Sequence, residues 1–531
     1  MTDRLAVAKI PCRGGLYTNE DFLTLSDTAP GSATRLVNFE VSPYGGYRRV
    51  SGFKYLDASY DRPAGTGAVL GLFIYNDAIY AARKEASGTD YDVLKYVSGS
   101  GWATTSLTSG QSATSVIRVR GLNHSITGNK SLILTDGINY PMRLVTTSWT
   151  KLNGSADVDN AAFAEVYKNR IFFAGMSQKP QLLVFTAPNS DSDFTAASGA
   201  GSINVGFDIM GLKRFRDALY IFGKTNIRKL TGDSINSFVI EEVSTSVGCV
   251  ASDSVVEIGG DVLFLAPDGI RTIQGTERIG DIELATISKN IQQTLNLIDT
   301  DFNYNQLCAT VVREKSQFRY LFGKSTLTAK NTTGFLGALR TSDQRSGWEF
   351  SELRGFQASC AVSGYIGDDE YVLHGDYSGY VIQQKHYRLE MYRQEQGGTF
   401  QDDNVFAVFQ SPYLDFGNTE QRKIFSQITV FTRPEGDNNF LVTADYDWLD
   451  SDYSSPDDYA ISSSGGYAEY RDTQTTYNTA GFVYGGATKP VIRQAIQGSG
   501  HAIQFKFVTT ASANPYTIFG FAVQYGEAGV R

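Results

Sequence analysis

Short polar tips flanked by alternating or fully apolar runs recur between about residues 70 and 375. Leu72-Phe73-Ile74-Tyr75 meets Ala78-Ile79-Tyr80 across Asn76-Asp77, and Ile126 meets Leu132-Ile133-Leu134 across Asn129-Lys130. Val166-Tyr167 turns at Lys168-Asn169 into Ile171-Phe172-Phe173, Phe215 at Arg216-Asp217 into Leu219-Tyr220-Ile221-Phe222, and Val256-Glu257-Ile258 at Gly259-Gly260 into Val262-Leu263-Phe264-Leu265. Val311-Val312 turns near Lys315-Ser316 into Phe318 to Phe322, and Tyr365-Ile366 turns at Gly367-Asp368 into Tyr371-Val372-Leu373. Asn, Asp and Gly tolerate the positive φ that two-residue turns require, so each of these reads as a hairpin. Their spacing of roughly 40 to 55 residues matches one four-stranded propeller blade apiece.

Several tips are followed by another small turn and strand: Asp136-Gly137 before Ile138, Asp268-Gly269 before Ile270, and Asp376 to Gly379 before Tyr380-Val381-Ile382. Three tryptophans follow later, as Gly101-Trp102, Ser148-Trp149 and Gly347-Trp348, where an outer strand would cap a blade. The predicted architecture is all-β, a propeller of six or seven blades over residues 55–395, with stacked sandwiches of similar strand spacing as the alternative. A helix is predicted at Ile287 to Ile298, where Ile287, Ile291, Leu295 and Ile298 share a face and Ser288 offers a cap.

The strand pattern breaks at Glu390 to Gly398, which marks a domain boundary. Beyond it, Val405 to Phe409, Phe425 to Phe431, Phe440 to Thr443, Ala502 to Phe507 and Phe519 to Tyr525 alternate as strands of a C-terminal β-sandwich over residues 396–531. Residues 451–484, rich in Ser, Asp, Gly and Tyr, read as a long protruding loop. Residues 1–54 form an N-terminal arm whose last strand closes the propeller.

Composition narrows the function classes. A net charge of −9 gives no basic footprint for holding nucleic acid by its phosphates, though an acidic wall lets DNA pass without sticking. The four cysteines lie far apart without a paired motif, which fits a reducing compartment and no zinc framework. The first residues lack a signal-peptide core and no run approaches a membrane span, so a protein made in the cytoplasm is expected.

Candidate chemistry is sparse. Gly223-Lys224-Thr225 and Gly323-Lys324-Ser325 resemble ends of phosphate loops, but Ala218 and Phe318 stand where the motif needs glycine. None of the four histidines has metal-ligand spacing, and His374-Gly375-Asp376 has no nucleophile elbow beside it. The run Asp445, Asp447, Asp450, Asp452, Asp457, Asp458 lacks the turn glycine of a calcium loop. No catalytic, cofactor or metal residue is assigned, and the chain is expected not to be an enzyme.

The N-terminal segments Gly14-Gly15-Leu16-Tyr17-Thr18, Ala33 to Glu40 and Gly45 to Phe53 resemble the opening of phage tail nozzle proteins, the family of tail tubular protein B and packaged-DNA stabilisation proteins. Tyr167 to Phe185, Gly248 to Ile273, Tyr413 to Gly417, Arg493 and Gly498 to Phe505 are similar to the same family. The resemblance implies a structural virion protein of a short-tailed bacteriophage, assembled in the host cytoplasm. It would form a hexameric ring below the tail adaptor and portal, possess docking contacts for tail fibres, and retain and then conduct double-stranded DNA without reading its sequence. Arg13, Arg35, Arg48 and Arg49 are the expected contacts between copies. Asp450, Tyr453, Asp457, Tyr459 and Tyr467, in or beside the long loop, are the expected gate or contact residues. A tail-fibre-docking or glycan-binding receptor module, reading glycans through exposed Tyr and Trp, is the alternative.

Overall fold

The computed structural model describes residues 5–19, 22–42, 45–56, 62–107, 110–274, 286–295, 304–322, 333–340, 347–384, 392–396, 399–403, 406–435, 438–449, 456–463, 491–509 and 515–527. Its strands form a β-propeller joined to a two-sheet sandwich. Six separate meanders are blades: one at 66–104, two at 120–151, three at 163–204, four at 209–244, a three-stranded five at 256–272, and the last at 360–383. A further meander of Leu307–Val312, Gln317–Phe322, Thr333–Arg340 and Gly347–Arg354 stands between blade five and the last blade. Its inner strand touches the inner strands on both sides, so it occupies the sixth position and the last blade the seventh.

The predicted tips are the inner hairpins of these seven meanders. Tyr75 pairs with Ala78 around Asn76 (φ 47°) and Asp77 (φ 56°), and Tyr167 with Arg170 around Lys168 (φ 46°) and Asn169 (φ 56°). Both central residues of each turn are left-handed, the geometry whose twist matches that of the flanking strands. The second strands Ser131–Thr135, Arg170–Ala174, Ala218–Gly223 and Gln317–Phe322 are buried along their whole length, since each is covered by neighbouring blades on both faces. Trp102, Trp149 and Trp348 stand on the fourth strands of blades one, two and six. Lys54–Tyr55 pairs with Val381–Gln383 and completes blade seven, so the early strand closes the ring.

Blade six does not end at its fourth strand. Gly347–Arg354 pairs in parallel with Arg35–Val37, which pairs with Ala407–Gln410 and leads through Ile503–Thr509 and Asn438–Tyr446 to Tyr459–Ser463 in one nine-stranded sheet. The second sandwich sheet is built on the long pair Lys423–Pro434 and Tyr516–Glu527, with Ala6–Pro11, Tyr47–Arg49 and Val491–Ala495 added. Phe505 and Phe507 meet Phe521 between the sheets, and Phe440 stacks on Tyr516 at 5.1 Å. The blade and the sandwich therefore share both a sheet and one core.

Two local expectations are corrected. Within the predicted helix, Lys289–Ile291 is a 3-10 turn, followed by helical residues only to Leu295 in the described part. Ser288 does not cap it; its Oγ accepts from the Ile270 N–H at 2.9 Å, pinning the turn of blade five. Part of the expected 451–484 loop is Tyr459–Ser463, an edge strand paired with Asn438–Tyr446. Among the described residues no helix is long and apolar enough to cross a membrane.

Candidate functional site

The inner strands of the blades surround a cavity of about 310 Å³ on the propeller axis. Gly121, Ala164, Gly211, Ala309 and Ala361 line it, and these small residues leave the space open. Arg118, Arg120, Asp253, Glu165 and Lys213 supply its charge.

Arg118 lies in the link between blades one and two, and its guanidinium reaches across the axis. It donates to the Ser359 carbonyl at 2.9 Å, to the Gln306 carbonyl at 3.2 Å, to the Leu307 carbonyl, and to Asp253 Oδ2 at 2.7 Å. Arg120 grips the same carboxylate at both oxygens, at 2.6 and 2.7 Å, and its guanidinium lies 4.9 Å over the Phe163 ring. Burial alone would raise the Asp253 carboxyl; Arg120 and Arg118 outweigh it and hold it down at about 2. With both oxygens taken, Asp253 is a lock binding blades two, five, six and seven. Ser359 extends the lock to blade one by donating to the Val69 carbonyl at 2.7 Å. Glu165 differs: burial raises its carboxyl, only partly offset by Lys213. The locked cavity is far too small for a DNA duplex, whose major groove alone is about 12 Å wide.

A second charged knot holds the propeller to the sandwich. Glu40 accepts from Arg48 at 2.7 Å, Lys315 at 2.6 Å and Arg319 at 3.5 Å, and Arg48 also forks onto Glu435 with two 2.6 Å bonds. Burial would raise the Glu40 carboxyl, but Lys315, Arg48 and Arg319 bring it down to about 2. Arg319 donates to Gln384, whose amide meets His374 Nδ1 at 2.9 Å. Burial, reinforced by Arg319, lowers His374 to about 3, so this imidazole is neutral in the fold.

The expected contact arginines thus divide. Arg48 is committed to Glu40 and Glu435 within the chain, and Arg49 is fully buried, its guanidinium lowered by burial to about 10. Arg13 is exposed, and Arg35 is half-buried on the strand that joins blade six to the sandwich. Of the expected gate residues, Asp450, Tyr453 and Tyr467 lie outside the described residues. Asp457 is exposed, and the Tyr459 hydroxyl accepts from the Gln497 N–H at 3.0 Å. Gly15 packs where a Cβ would meet the Phe350 nitrogen at 2.7 Å, and its φ of +73° favours glycine, which accounts for one glycine of the arm motif.

Beside Tyr459, the residues Asp447, Trp448 and Leu449 are left-handed in succession, with φ of 45°, 58° and 60°. Each such non-glycine residue costs about 1–2 kcal/mol, so the turn survives only because it is clamped. Asp447 Oδ1 accepts from the His501 and Ala502 N–H groups at 2.6 and 3.1 Å, and it lies 2.8 Å from where a Cβ on Gly500 would stand. The turn holds Trp448 38% exposed and Leu449 60% exposed, with the indole 5.8 Å from the Tyr413 ring.

Sequence reasoning missed Arg118, Arg120, Asp253 and Glu40: the arginines lie 133 residues or more from Asp253, and although Arg48 is near Glu40 in sequence, Lys315 and Arg319 are 275 and 279 residues from it. Trp448 was passed over inside the acidic run. Among the described residues no group of three His, Cys, Asp or Glu is placed to hold a metal ion.

No family model matches the chain, and no curated protein matches it in sequence. Among solved structures, Raptor from Chaetomium thermophilum is similar over 63% of this chain at 10% identity and a TM-score of 0.38; the match spans only 29% of Raptor. A glycoside hydrolase family 43 arabinoxylan arabinofuranohydrolase from Bacillus subtilis is matched over 87% of this chain and 96% of its own, at 11% identity and a TM-score of 0.26. An exo-β-1,3-galactanase from Phanerochaete chrysosporium is matched over 90% of this chain and all of its own, at 8% identity and a TM-score of 0.25. The expectation that the chain is not an enzyme is corrected by these last two matches, which are hydrolases, and that exclusion is withdrawn. At such TM-scores the likeness carries no substrate or reaction over to this chain.

Proposed function

We propose that the chain is a nozzle subunit of a short-tailed phage tail. In this reading, copies form a closed ring, hexameric as the sequence resemblance implies, below the adaptor and portal in the virion. The ring retains double-stranded DNA and conducts it at ejection, and its outer surface offers docking sites for tail fibres.

The observation that carries the reading is where the resembling N-terminal residues lie. Gly15, Arg35 to Glu40 and Tyr47 to Arg49 build the junction between blade six and the sandwich, so the motif corresponds to the structural joint of the whole subunit. The joint makes propeller and sandwich one stiff body, as a load-carrying ring requires. The locked axis supports a conduit formed between copies rather than through a propeller. Head-to-tail contacts between copies generate a cyclic ring when their rotation closes.

Negative-stain electron microscopy with mass determination tests this, on the purified chain alone and with a phage portal and adaptor. Uniform rings with an axial channel that dock onto the adaptor are expected. Monomers that neither form rings nor join the portal complex would overturn the reading.

A further inference from the structure

The axial cavity keeps donors that the Asp253 lock leaves over. Arg120 spends Nε and Nη2 on Asp253, while its Nη1 makes no hydrogen bond among the described residues and the side chain is 26% exposed. Lys213 stands 3.9 Å from Glu257, beyond hydrogen-bond reach. Glu165 accepts from the Val166 N–H at 3.2 Å and from the Arg214 N–H, and from no side chain among the described residues. On the walls Arg118, Arg120 and Lys213 outnumber Asp253 and Glu165, and burial weakens Glu165 further as an anion by raising its carboxyl. The cavity is thus positive inside a chain of net charge −9. Leu212 and Val256, both half-buried, give it an apolar side. A second cavity of about 220 Å³ shares the walls Leu72, Phe73, Gly121 and Val362 and reaches the exposed Tyr365, which marks a way in from solvent.

We propose that the axial cavity binds one small organic carboxylate, its anionic end on Arg120 Nη1 and the Lys213 ammonium and its carbon body on Leu212 and Val256. Excess positive charge in an enclosed space attracts an anion more strongly than the same charge would in open water. The volume of about 310 Å³ is at the small end of ligand pockets, which run from about 300 to 1,000 Å³, so the cavity takes one small molecule and no polymer. The apolar side favours a carboxylate with a carbon body over a bare inorganic anion. Such a ligand would touch blades two, four and five together and so add to the closure of the propeller, since whatever binds only the folded state stabilises it. The inference goes beyond the nozzle reading and does not depend on copies assembling into a ring.

The test is isothermal titration calorimetry of the full chain with hexanoate, benzoate and glucuronate at millimolar concentration, against benzamide and inorganic phosphate. Saturable binding of at least one carboxylate, one molecule per chain, is expected, with benzamide and phosphate weaker. Lys213→Gln is expected to weaken it at least about tenfold, the scale of one charge-assisted hydrogen bond. Lys168→Gln, on an exposed turn outside the cavity, should leave it unchanged. Ala309→Leu, which fills the cavity without removing charge, should abolish it. A thermal midpoint equal to that of the parent shows that each variant is folded; should Ala309→Leu unfold, Lys213→Gln decides alone, because Lys213 is no part of the Asp253 lock. Failure of all three carboxylates to bind overturns the proposal, as does binding that survives Lys213→Gln. Phosphate bound as tightly as the carboxylates would overturn it in favour of a plain anion site, and benzamide bound as tightly would overturn the role of charge. Normal rings in a chain that binds no carboxylate separate this failure from any failure of the nozzle reading.

Discussion

Asp253 at the propeller axis and Glu40 at the joint are both carboxylates enclosed by cations, yet their partners come from different places. Asp253 is held by two arginines from one neighbourhood, Arg118 and Arg120, and Arg118 spends its remaining donors on backbone carbonyls of blades six and seven. Glu40 gathers Arg48 from its own hairpin and Lys315 and Arg319 from blade six, with Glu435 of the sandwich sharing Arg48. The axial lock keeps backbone partners when its carboxylate is lost; the joint leaves cations facing one another. Losing a buried charge is thus the more costly the fewer other groups its partners can bind.

Glu40→Gln is expected to have the largest effect, about 3–5 kcal/mol, because it takes the paired carboxylate from buried Lys315 and Arg319, while Arg48 keeps Glu435. Asp253→Asn is expected to cost less, about 2–3 kcal/mol, since the carbonyl bonds of Arg118 remain. Urea denaturation measures both, and equal losses would break the contrast. Hydrogen exchange sharpens it: Asp253→Asn should speed exchange in inner blade strands, and Glu40→Gln in Arg35–Val37 and its neighbours.

Acid should act in two windows. His374 has a folded value of about 3 against a usual 6.5, so its neutral form is the one the fold keeps. Its contribution is complete above about pH 6.5 and is lost as pH falls towards 3. Glu40 and Asp253 are depressed to about 2 from 4.5 and 3.8, so their contribution is complete above about pH 4.5 and lost as pH falls towards 2. His374→Gln should flatten the thermal midpoint between pH 6 and 4 and leave the steeper loss below it. A variant with the parental slope would show that His374 is not the group protonated.

Smaller effects complete the contrast. Glu435 is 32% exposed, so Glu435→Gln is expected to cost under about 1 kcal/mol in the same denaturation assay, although it makes two short bonds to Arg48. Leu449→Gly should raise stability by roughly 1 kcal/mol, since glycine adopts φ of +60° without penalty. A loss there would show that the leucine side chain contributes more than its backbone strains.

The blades were legible because their signals are local. Two-residue tips such as Asn76-Asp77 and Lys168-Asn169 carry their turn geometry in residue type, and a buried second strand reads as an apolar run. The joint was legible only as a motif, since nothing near Glu40 in sequence announces Lys315. Nothing in the sequence links Arg118 to Asp253, and only closure of the ring brings them together. The short helical segment misled because a 4,4,3 spacing of isoleucine and leucine fits any turn with one apolar face, and Ser288 found a better partner in Ile270.

The pairing of Ala6–Pro11 with Tyr516–Glu527 sets Ala6 opposite Tyr525, far away in sequence. On the ribosome Ala6–Pro11 therefore waits, without this partner, until translation reaches Tyr516–Glu527, while Lys54–Tyr55 finds its place once residue 383 has emerged. Blades one to four can assemble as they appear, whereas the sandwich is complete only once Tyr516–Glu527 has been made. Unfinished polypeptides would expose an unpaired edge and a bare aromatic core, so synthesis itself is the period in which this protein most needs a chaperone.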